Sequence, residues 1–346
     1  MKKVSVLGHF AFGRNELNGQ TIKTKIVTEE LERRLGEPRV LKIDTAGGWK
    51  TLFKAPFQAL GALRRGENVL IFPAHNGVRV YVPLLSFFKR FFKGRRLHYA
   101  VVGGWIPEFV KGRRGLRRAL SRFDGIYVET NVMKQALEAQ GFTNVLVVPN
   151  CKRLNALTAE ELVYPKEKPY RLCTFSRVMK QKGIETAARV IREVNSELGY
   201  KAFTLDVYGQ VDSTEIQWFD SVKAEYSDLL EYRGRVDAQK STEVLKDYFA
   251  LLFPTHFYTE GIPGTIIDAY SAGVPVIYAK WESWADVIED GVNGLGYDFD
   301  SSAGFADILK RVERDPSLIL SMKEACLRRA EEYTPEKALN LLADRL

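Results

Sequence analysis

Several features that often reveal a protein's chemistry are scarce in this sequence. Its 346 residues include three cysteines and four histidines, and neither type occurs at the close spacings that are typical of zinc sites. Cys151, Cys173 and Cys326 are odd in number and scattered, which favours buried reduced thiols over a disulfide framework. No apolar run approaches the roughly 20 residues needed to cross a bilayer. The sequence therefore gives no sign of a metal protein, a disulfide scaffold or a membrane-spanning protein.

Two further patterns are absent near the N-terminus. The first ten residues combine two lysines with an apolar run, as a signal peptide would. That run is short and leads directly into a polar turn, so we predict a first β-strand and a cytoplasmic protein. The glycines that follow lack the regular G-x-G-x-x-G spacing, so no dinucleotide fingerprint is present.

Acidic residues are scarce in the first half of the chain. Residues 1–150 contain 26 Lys and Arg against 11 Asp and Glu, a net charge of +15, whereas the remaining chain has −7. This asymmetry indicates two domains with different surfaces. Residues 84–96 and 111–120 pair cations with aromatic or leucine side chains, which suits peripheral contact with an anionic membrane. A core helix with a basic face explains residues 84–92 equally well.

No nucleic-acid-binding motif accompanies this basic charge, so we expect no nucleic-acid partner. Strand-like apolar runs alternate with helical patterns along the chain, which is typical of parallel α/β units. The alternation pauses at residues 164–170, where two prolines bracket charged residues, and then restarts. We therefore predict an N-terminal Rossmann-like domain over residues 1–164 and a C-terminal one over residues 165–334.

The most informative segment is residues 259–268, Thr-Glu-Gly-Ile-Pro-Gly-Thr-Ile-Ile-Asp. It places two carboxylates, Glu260 and Asp268, on either side of a Gly/Pro turn that opens a helix. The free amides and the dipole of a helix start suit phosphate oxygens, while carboxylates can accept hydrogen bonds from hydroxyls. A nucleotide sugar has hydroxyls on both sides of a diphosphate. Taken alone, an ordinary helix start with Glu260 as a solvated cap explains the segment as well.

A second motif follows the strand that ends at Phe175. Residues 176–183 read Ser-Arg-Val-Met-Lys-Gln-Lys-Gly, which places Arg177 and Lys182 on a strand-to-helix loop beside backbone amides. Such a loop can hold a diphosphate from one side, with Arg as a fork and Lys as a point charge. A basic loop on a basic protein has the same composition, but this loop opens the second α/β half.

Together the two motifs resemble those of retaining family-4 glycosyltransferases, Glu-x7-Glu and Ser/Thr-Arg-x4-Lys-Gly. Asp268 stands where the family usually has the second Glu. The resemblance implies the α/β GT-B architecture, two Rossmann-like domains facing across a cleft, with a C-terminal helix over residues 335–346 packing back on the first domain. It implies transfer of a hexose-type sugar, with retention, from a nucleotide diphosphate sugar to a saccharide acceptor, UDP being favoured over GDP.

The resemblance also implies roles for the motif residues. Arg177 and Lys182 would stabilise the departing diphosphate. Glu260 would bind sugar hydroxyls, and Asp268 would accept from the ribose hydroxyls. Cations and helix starts would replace a divalent metal, so we expect neither a metal nor a cofactor. Further donor-binding positions lie at the helix start, in the loop of Gly209 and in the loop of Val236, which by resemblance lies against the nucleobase: Ile262, Pro263, Gly264, Thr265, Gly209 and Val236. A tight βα turn explains the glycines of both loops as well.

The first half matches the family less closely. The family has a glycine-bearing loop after its first strand, and here that region contains Gly13 and Gly19. These glycines are weak candidates for contacts in the cleft. Asn18 or Thr21, beside them, would serve equally well as caps of the following helix.

Many family members have a His at the end of an N-domain strand, pointing at the sugar. This sequence instead reads Gly103-Gly104-Trp105 at that place. His75, after the neighbouring strand, is a weak candidate to replace it, although a loop histidine without a role is the more common case.

The basic N-terminal half suggests a lipid-linked acceptor at the cytoplasmic face of a membrane, as in the synthesis of bacterial surface polysaccharides. Two alternatives remain open. One is another GT-B enzyme, either a nucleotide-sugar epimerase or an inverting transferase, in which His75 would matter as the base. The other is a non-catalytic partner subunit with the same fold.

Overall fold

The computed structural model describes residues 2–13, 19–47 and 53–346, and these residues form two compact units. The first unit comprises the chain up to Arg153 together with Tyr333–Leu346, and the second comprises Leu154–Glu332. Each unit contains a six-stranded sheet in which every pairing is parallel. The predicted α/β class is confirmed.

The first sheet has the order β2-β1-β3-β4-β5-β6. Because its strands are parallel, their carboxyl ends and the loops that follow them lie at one edge. The strands are β1 (Lys2–Gly8), β2 (Val40–Asp44), β3 (Gly66–Ile71), β4 (Arg96–Ala100), β5 (Gly125–Val128) and β6 (Val145–Val147). The helices between them are α1 (Gly19–Leu35), α2 (Ala55–Arg65), α3 (His75–Phe88), α4 (Ile106–Val110), α5 (Arg114–Leu120) and α6 (Asn131–Glu138).

The second sheet has the strand order of a Rossmann fold, with its first and fourth strands at the centre. Its strands are β7 (Tyr170–Phe175), β8 (Phe203–Tyr208), β9 (Leu230–Gly234), β10 (Ala250–Phe253), β11 (Val276–Ala279) and β12 (Gly294–Tyr297), ordered β12-β11-β10-β7-β8-β9. Its helices are α7 (Ile184–Leu198), α8 (Ile216–Glu225), α9 (Ser241–Leu245), α10 (Gly264–Ser271), α11 (Trp284–Val287), α12 (Ser302–Arg314), α13 (Ser317–Leu320) and α14 (Lys323–Ala330).

The last residues of the chain, including α15 (Pro335–Ala338) and α16 (Asn340–Ala343), complete the core of the first unit. Leu342 and Leu346 are buried there with residues of β1 and α1. Beside them, the fully buried carboxylate of Glu30 accepts hydrogen bonds from three arginines: Arg33, Arg34 and Arg153. These bonds, that of Arg33 above all, lower the pKa of Glu30 to about 2.

Two of the predicted boundaries differ from the structure. The first unit ends at Arg153 and not at residue 164, because residues 154–164 pack on the second unit: the Leu157 amide donates to the Ser271 carbonyl (2.9 Å). The second unit ends at Glu332 and not at residue 334, because Tyr333 is already part of the first unit; its carbonyl accepts from the Lys152 amide (3.0 Å).

Two helix boundaries also differ from those that the sequence suggests. A helix over residues 82–92 is expected, but α3 begins at His75 and continues through Pro83, since Val78, Val82 and Leu85 on its inner face are buried. A helix over about Thr51–Arg64 is expected; α2 begins at Ala55, and Thr51 lies outside the described residues.

The three cysteines are buried and form no disulfide. None of the described helices is both long enough and apolar enough to cross a membrane.

A buried lysine holds α14 against α10, the helix that carries Asp268. Lys323 is fully buried, and its ammonium donates to the Gly273 carbonyl just beyond α10 (3.0 Å). Burial disfavours the charged form and lowers the pKa of Lys323 to about 8, from 10.5. A charge at this position therefore destabilises the folded state at neutral pH.

We predict that Lys323→Met will reveal this cost through its pH dependence. Below pH 8 the ammonium is charged in both the folded and the unfolded wild type, so the penalty is complete. Between pH 8 and 10.5 the folded state has released a proton that the unfolded state still holds. The free energy of unfolding of the wild type should therefore rise relative to Lys323→Met by about 1.4 kcal/mol per pH unit. Calorimetry of both proteins across this range measures the difference, and a pH-independent difference would contradict the assignment.

Candidate functional site

The two charged motifs of the second unit meet at one ion pair. The Lys182 ammonium donates to Glu260 Oε1, and both side chains are more than four-fifths buried. Thr255 adds a hydrogen bond from its hydroxyl to the same oxygen (3.2 Å). The ammonium also lies 5.8 Å and 5.1 Å from the ring centroids of Phe253 and Phe257. A cation suited to phosphate and a carboxylate suited to sugar hydroxyls thus occupy the same place.

The pair forms because two loops approach each other closely. Lys182 follows β7 and Glu260 follows β10, and these strands are neighbours in the sheet. Gly183 has a φ of +71°, and a Cβ there would lie 1.8 Å from the Pro254 carbonyl oxygen, so no larger residue fits. The His256 amide donates to the Gln181 carbonyl (2.8 Å), which ties the same two loops together.

Arg177 does not join this pair. Its side chain is 60% exposed, and its guanidinium lies 3.9 Å from the Asp212 carboxylate, beyond direct hydrogen bonding. Neither Lys182 nor Glu260 contacts Arg177 in the described structure. Its guanidinium is therefore weakly held and accessible to an anion.

The helix start predicted to receive phosphate or sugar oxygens is present. α10 begins at Gly264 after the extended Pro263, and the buried Ile262 precedes them. The first amides of the helix have no helical acceptor, which is the property that suits an anion. In addition, the buried Thr265 hydroxyl lacks a hydrogen-bond partner in the part of the chain that the structure describes.

Asp268 lies one turn further along α10 and faces inwards. It is only 2% exposed, and Ser241 Oγ lies 2.9 Å from one of its carboxylate oxygens. Its carboxylate is therefore held in place by the protein. The contact of Asp268 with ribose hydroxyls stays a prediction.

The two loop positions expected to bind the donor, Gly209 and Val236, have different surroundings. Gly209 has a φ of +134°, and a Cβ there would lie 1.7 Å from the Ser176 carbonyl oxygen. A glycine is therefore required because the backbone lies directly against the loop that carries Arg177. Val236 is half-buried in the loop after β9. Gly209 thus shapes the loop that carries Arg177.

In the first unit, an unforeseen carboxylate organises the loop after β1. Asp44, at the end of β2, accepts hydrogen bonds from the amides of Phe10, Ala11 and Phe12 (3.0, 3.2 and 3.0 Å) and of Ala46. Bonds from these amides outweigh burial and lower the pKa of Asp44. No sequence motif marks this residue beyond its place at a strand end.

The two weak glycine candidates flank the undescribed part of that loop. Gly13 has a φ of +73°, and Gly19 is the first residue of α1. Asn18 lies outside the described residues. Thr21, an expected alternative cap, lies within α1, and its hydroxyl bonds to the His9 ring (2.8 Å).

The loop after β4 is held by a buried ion pair that no sequence motif marks. Buried Lys23 donates to Glu129 (2.5 Å) and to the Val101 carbonyl (2.9 Å). Glu129 also accepts from the Gly103 amide (3.3 Å). Gly103 has a φ of +79°, and Gly104 is buried. This pair fixes the backbone that leads to Trp105.

His75 and Trp105 are brought together at the carboxyl ends of β3 and β4. His75 is the first residue of α3, not a loop residue, and its ring stacks on that of Trp105 with centroids 3.8 Å apart. Although His75 as a residue is exposed, desolvation of its ring and the nearby Arg79 lower its pKa. Both effects favour the neutral imidazole.

No group of three or more His, Cys, Asp or Glu suited to hold a metal occurs among residues 2–13, 19–47 and 53–346. Independence from metal stays a prediction.

Comparison with known proteins identifies the second unit. Residues 169–315 match the family described as glycosyl transferases group 1. The second unit therefore contains a glycosyltransferase domain. A search of curated proteins by sequence finds no significant match. The two motifs at the Lys182–Glu260 pair both fall inside the matched segment.

Solved structures show the same fold at low sequence identity. Anabaena HepE in complex with UDP is 14% identical, with a TM-score of 0.76 and 99% of both chains covered. The sucrose-phosphate synthase of Thermosynechococcus elongatus is 13% identical, with a TM-score of 0.77, covering 100% of this chain and 98% of that one. S. aureus TarM in complex with Fondaparinux, alpha-GlcNAc-glycerol and UDP is 14% identical, with a TM-score of 0.66; the alignment covers 85% of this chain but only 58% of TarM. This transferase therefore has the GT-B fold.

We predict that Gly183→Ala will separate the two motif loops. Gly199, at the other end of α7, has nearly the same backbone conformation (φ +77°), but a Cβ at that position would have no atom within 4 Å, which makes Gly199→Ala the matched control. The control should lower the free energy of unfolding by about 1 kcal/mol, the strain of an alanine in the left-handed conformation. Gly183→Ala should lower it by roughly 3 kcal/mol or more, because the Pro254 carbonyl must also move. Thermal unfolding measures both, and equal losses would show that the close approach is unimportant.

Proposed function

We propose that the chain transfers a hexose-type sugar from a UDP-sugar to a saccharide acceptor with retention of the anomeric configuration. The observation that carries the proposal is the Lys182–Glu260 pair, which joins the two motifs at one point beside the start of α10. In the free protein each charge neutralises the other. A bound donor would offer Lys182 a diphosphate and Glu260 sugar hydroxyls.

In this scheme the leaving diphosphate is stabilised by cations and amides. Arg177 would exchange its distant contact with Asp212 for a bidentate bond to phosphate, which is the stronger interaction. The first amides of α10 add fixed dipoles aimed at the same oxygens. Because these groups supply the positive charge that a divalent cation would otherwise provide, we propose that transfer needs no metal.

The choice of UDP rests on the solved relatives. HepE was crystallised with UDP and with UDP-glucose, and TarM with UDP. Retention rests on the resemblance of the motifs to the retaining family. His75 supports the alternative of inversion, because the residue is exposed and its lowered pKa favours the neutral form that a general base requires. NMR of the product's anomeric proton separates the two outcomes.

We predict that one nucleoside diphosphate, UDP, will stabilise the wild type without metal. A ligand present at 100 times its dissociation constant adds roughly 2.7 kcal/mol to the free energy of unfolding. This stabilisation gives an easily measured rise in melting temperature. Arg177→Ala should reduce the shift, whereas Arg192→Ala, which removes an exposed arginine paired with Glu225 on the same unit, should leave it unchanged. A chelator should have no effect. A shift that requires Mg²⁺ would refute metal independence, and no shift with any nucleotide would refute the donor site.

We further propose that the first unit contacts an anionic membrane and that the acceptor is lipid-linked, as in the synthesis of bacterial surface polysaccharides. The inner face of α3 is buried, but Phe87 and Phe91 at its end are 46% and 67% exposed. The Arg90 guanidinium lies 4.2 Å from the Phe87 ring centroid. Exposed aromatic rings among cations are typical of interfacial segments.

We predict that the wild type will sediment with vesicles that contain phosphatidylglycerol and much less with vesicles of phosphatidylcholine alone. The double variant Phe87→Ser/Phe91→Ser should lose most of this binding, because it removes the side chains that would enter the interface. Ile216→Ser removes an equally exposed side chain from the second unit and should have no effect. UDP binding should persist in all variants. Unchanged sedimentation of the double variant would exclude this surface.

A further inference from the structure

One cluster in the first unit combines three packed aromatic rings with two arginines. We name it the His75 cluster: His75, Arg79, Trp105, Phe109 and Arg113. The His75 and Trp105 rings are stacked, and each meets Phe109 edge-on, at centroid distances of 5.1 and 5.0 Å. The guanidinium carbons of Arg79 and Arg113 lie 5.1 and 4.5 Å from the Phe109 centroid. Two cations therefore flank one aromatic surface.

Neither arginine has a carboxylate partner among residues 2–13, 19–47 and 53–346. Glu108, an acid on α4, pairs instead with Lys111 (3.5 Å). Arg113 donates to the Phe109 carbonyl, and Arg79 makes no hydrogen bond to any described residue. The ring nitrogens of His75 likewise have no hydrogen-bond partner in the described chain. The cluster thus has unused donors and uncompensated positive charge.

The Trp105 ring is held firmly, whereas the His75 nitrogens have no partner among the described residues. The Trp105 indole donates to the Val102 carbonyl (2.8 Å), which fixes its orientation. That backbone is fixed in turn by the buried Lys23–Glu129 pair. His75 is exposed, so the imidazole presents ring atoms and nitrogens to solvent on a rigid base. Such an arrangement is preorganised for a ligand.

These features define the chemistry of that ligand. A flat ring beside free nitrogens suits a sugar, whose CH face is apolar and whose hydroxyls are polar. Two guanidiniums beside it suit a carboxylate or phosphate, which they can bind through paired N–H groups. Both requirements are met by a saccharide that bears a negative charge next to a sugar ring.

We propose that the His75 cluster binds an anionic acceptor saccharide through its rings and through Arg79 and Arg113. The assignment to the acceptor rests on the proposed transferase function, since the donor motifs all lie in the second unit. Two sources can supply the anion: a uronic-acid carboxylate or the diphosphate of a prenyl-linked sugar. The cluster would then distinguish charged acceptors from neutral ones.

Saturation-transfer NMR tests this proposal by measuring the binding of four probes to the whole chain in the absence of donor. Methyl glucuronide is compared with its methyl ester, and a short-chain prenyl diphosphate N-acetylglucosamine is compared with the prenyl glycoside that lacks the diphosphate. At least one charged probe should bind about tenfold or more tightly than its neutral counterpart, as a charge-assisted bond requires. The pair that shows the difference identifies the source of the anion.

Arg79→Gln and Arg113→Gln should each weaken binding of that probe by about tenfold, while Arg64→Gln, an exposed charge control on α2, should change it less than about twofold. Circular dichroism and melting temperature establish that the variants are folded. Equal binding of charged and neutral probes, wild-type binding by both arginine variants, or no binding of either charged probe would overturn the proposal. UDP-induced stabilisation of the same samples reports on the donor site separately, so failure of one proposal is distinguishable from failure of the other.

Discussion

The second unit depends on the approach of two loops at the centre of its sheet, which the Lys182–Glu260 ion pair marks. β7 and β10 lie side by side, so the loops at their carboxyl ends meet, and Gly183 lets one backbone lie directly against the other. Both side chains are more than four-fifths buried and the Lys182 ammonium lies close to the rings of Phe253 and Phe257, so an unpaired charge there would be costly. Their pairing thus keeps two groups of opposite sign in a partly dry place while no substrate is bound.

Much of this site was predictable from sequence because each motif is local. Arg177 and Gly183 lie within one loop, and Glu260 and Asp268 lie in one loop and the helix that directly follows it; the match to the family includes both motifs. The pairing of Lys182 with Glu260 was not predictable, because 78 residues separate them and the contact depends on the strand order. The inward orientation of Asp268 towards Ser241 depends likewise on how α9 and α10 pack.

The fold class followed from alternating strand and helix patterns, whereas boundaries did not. Gly77 and Pro83 both disfavour a helix, yet α3 spans them because burial of Val78 and Val82 outweighs their local preferences. The prolines near residue 165 suggested a domain boundary, but Leu157 hydrogen-bonds into the second unit before that point. In the first unit, Asp44 and the Lys23–Glu129 pair act by fixing backbone amides and carbonyls, a role with no sequence signature.

The closure of the first unit by residues 333–346 has a consequence for synthesis on the ribosome. These residues supply Leu342 and Leu346 to a core whose members before the second unit lie between Val4 and Cys151 and are made earlier. Every residue of the second unit emerges in between, so that unit can fold while the first is still incomplete. The apolar surface of α1 that Leu342 and Leu346 cover therefore stays open to solvent until residues 333–346 have been made.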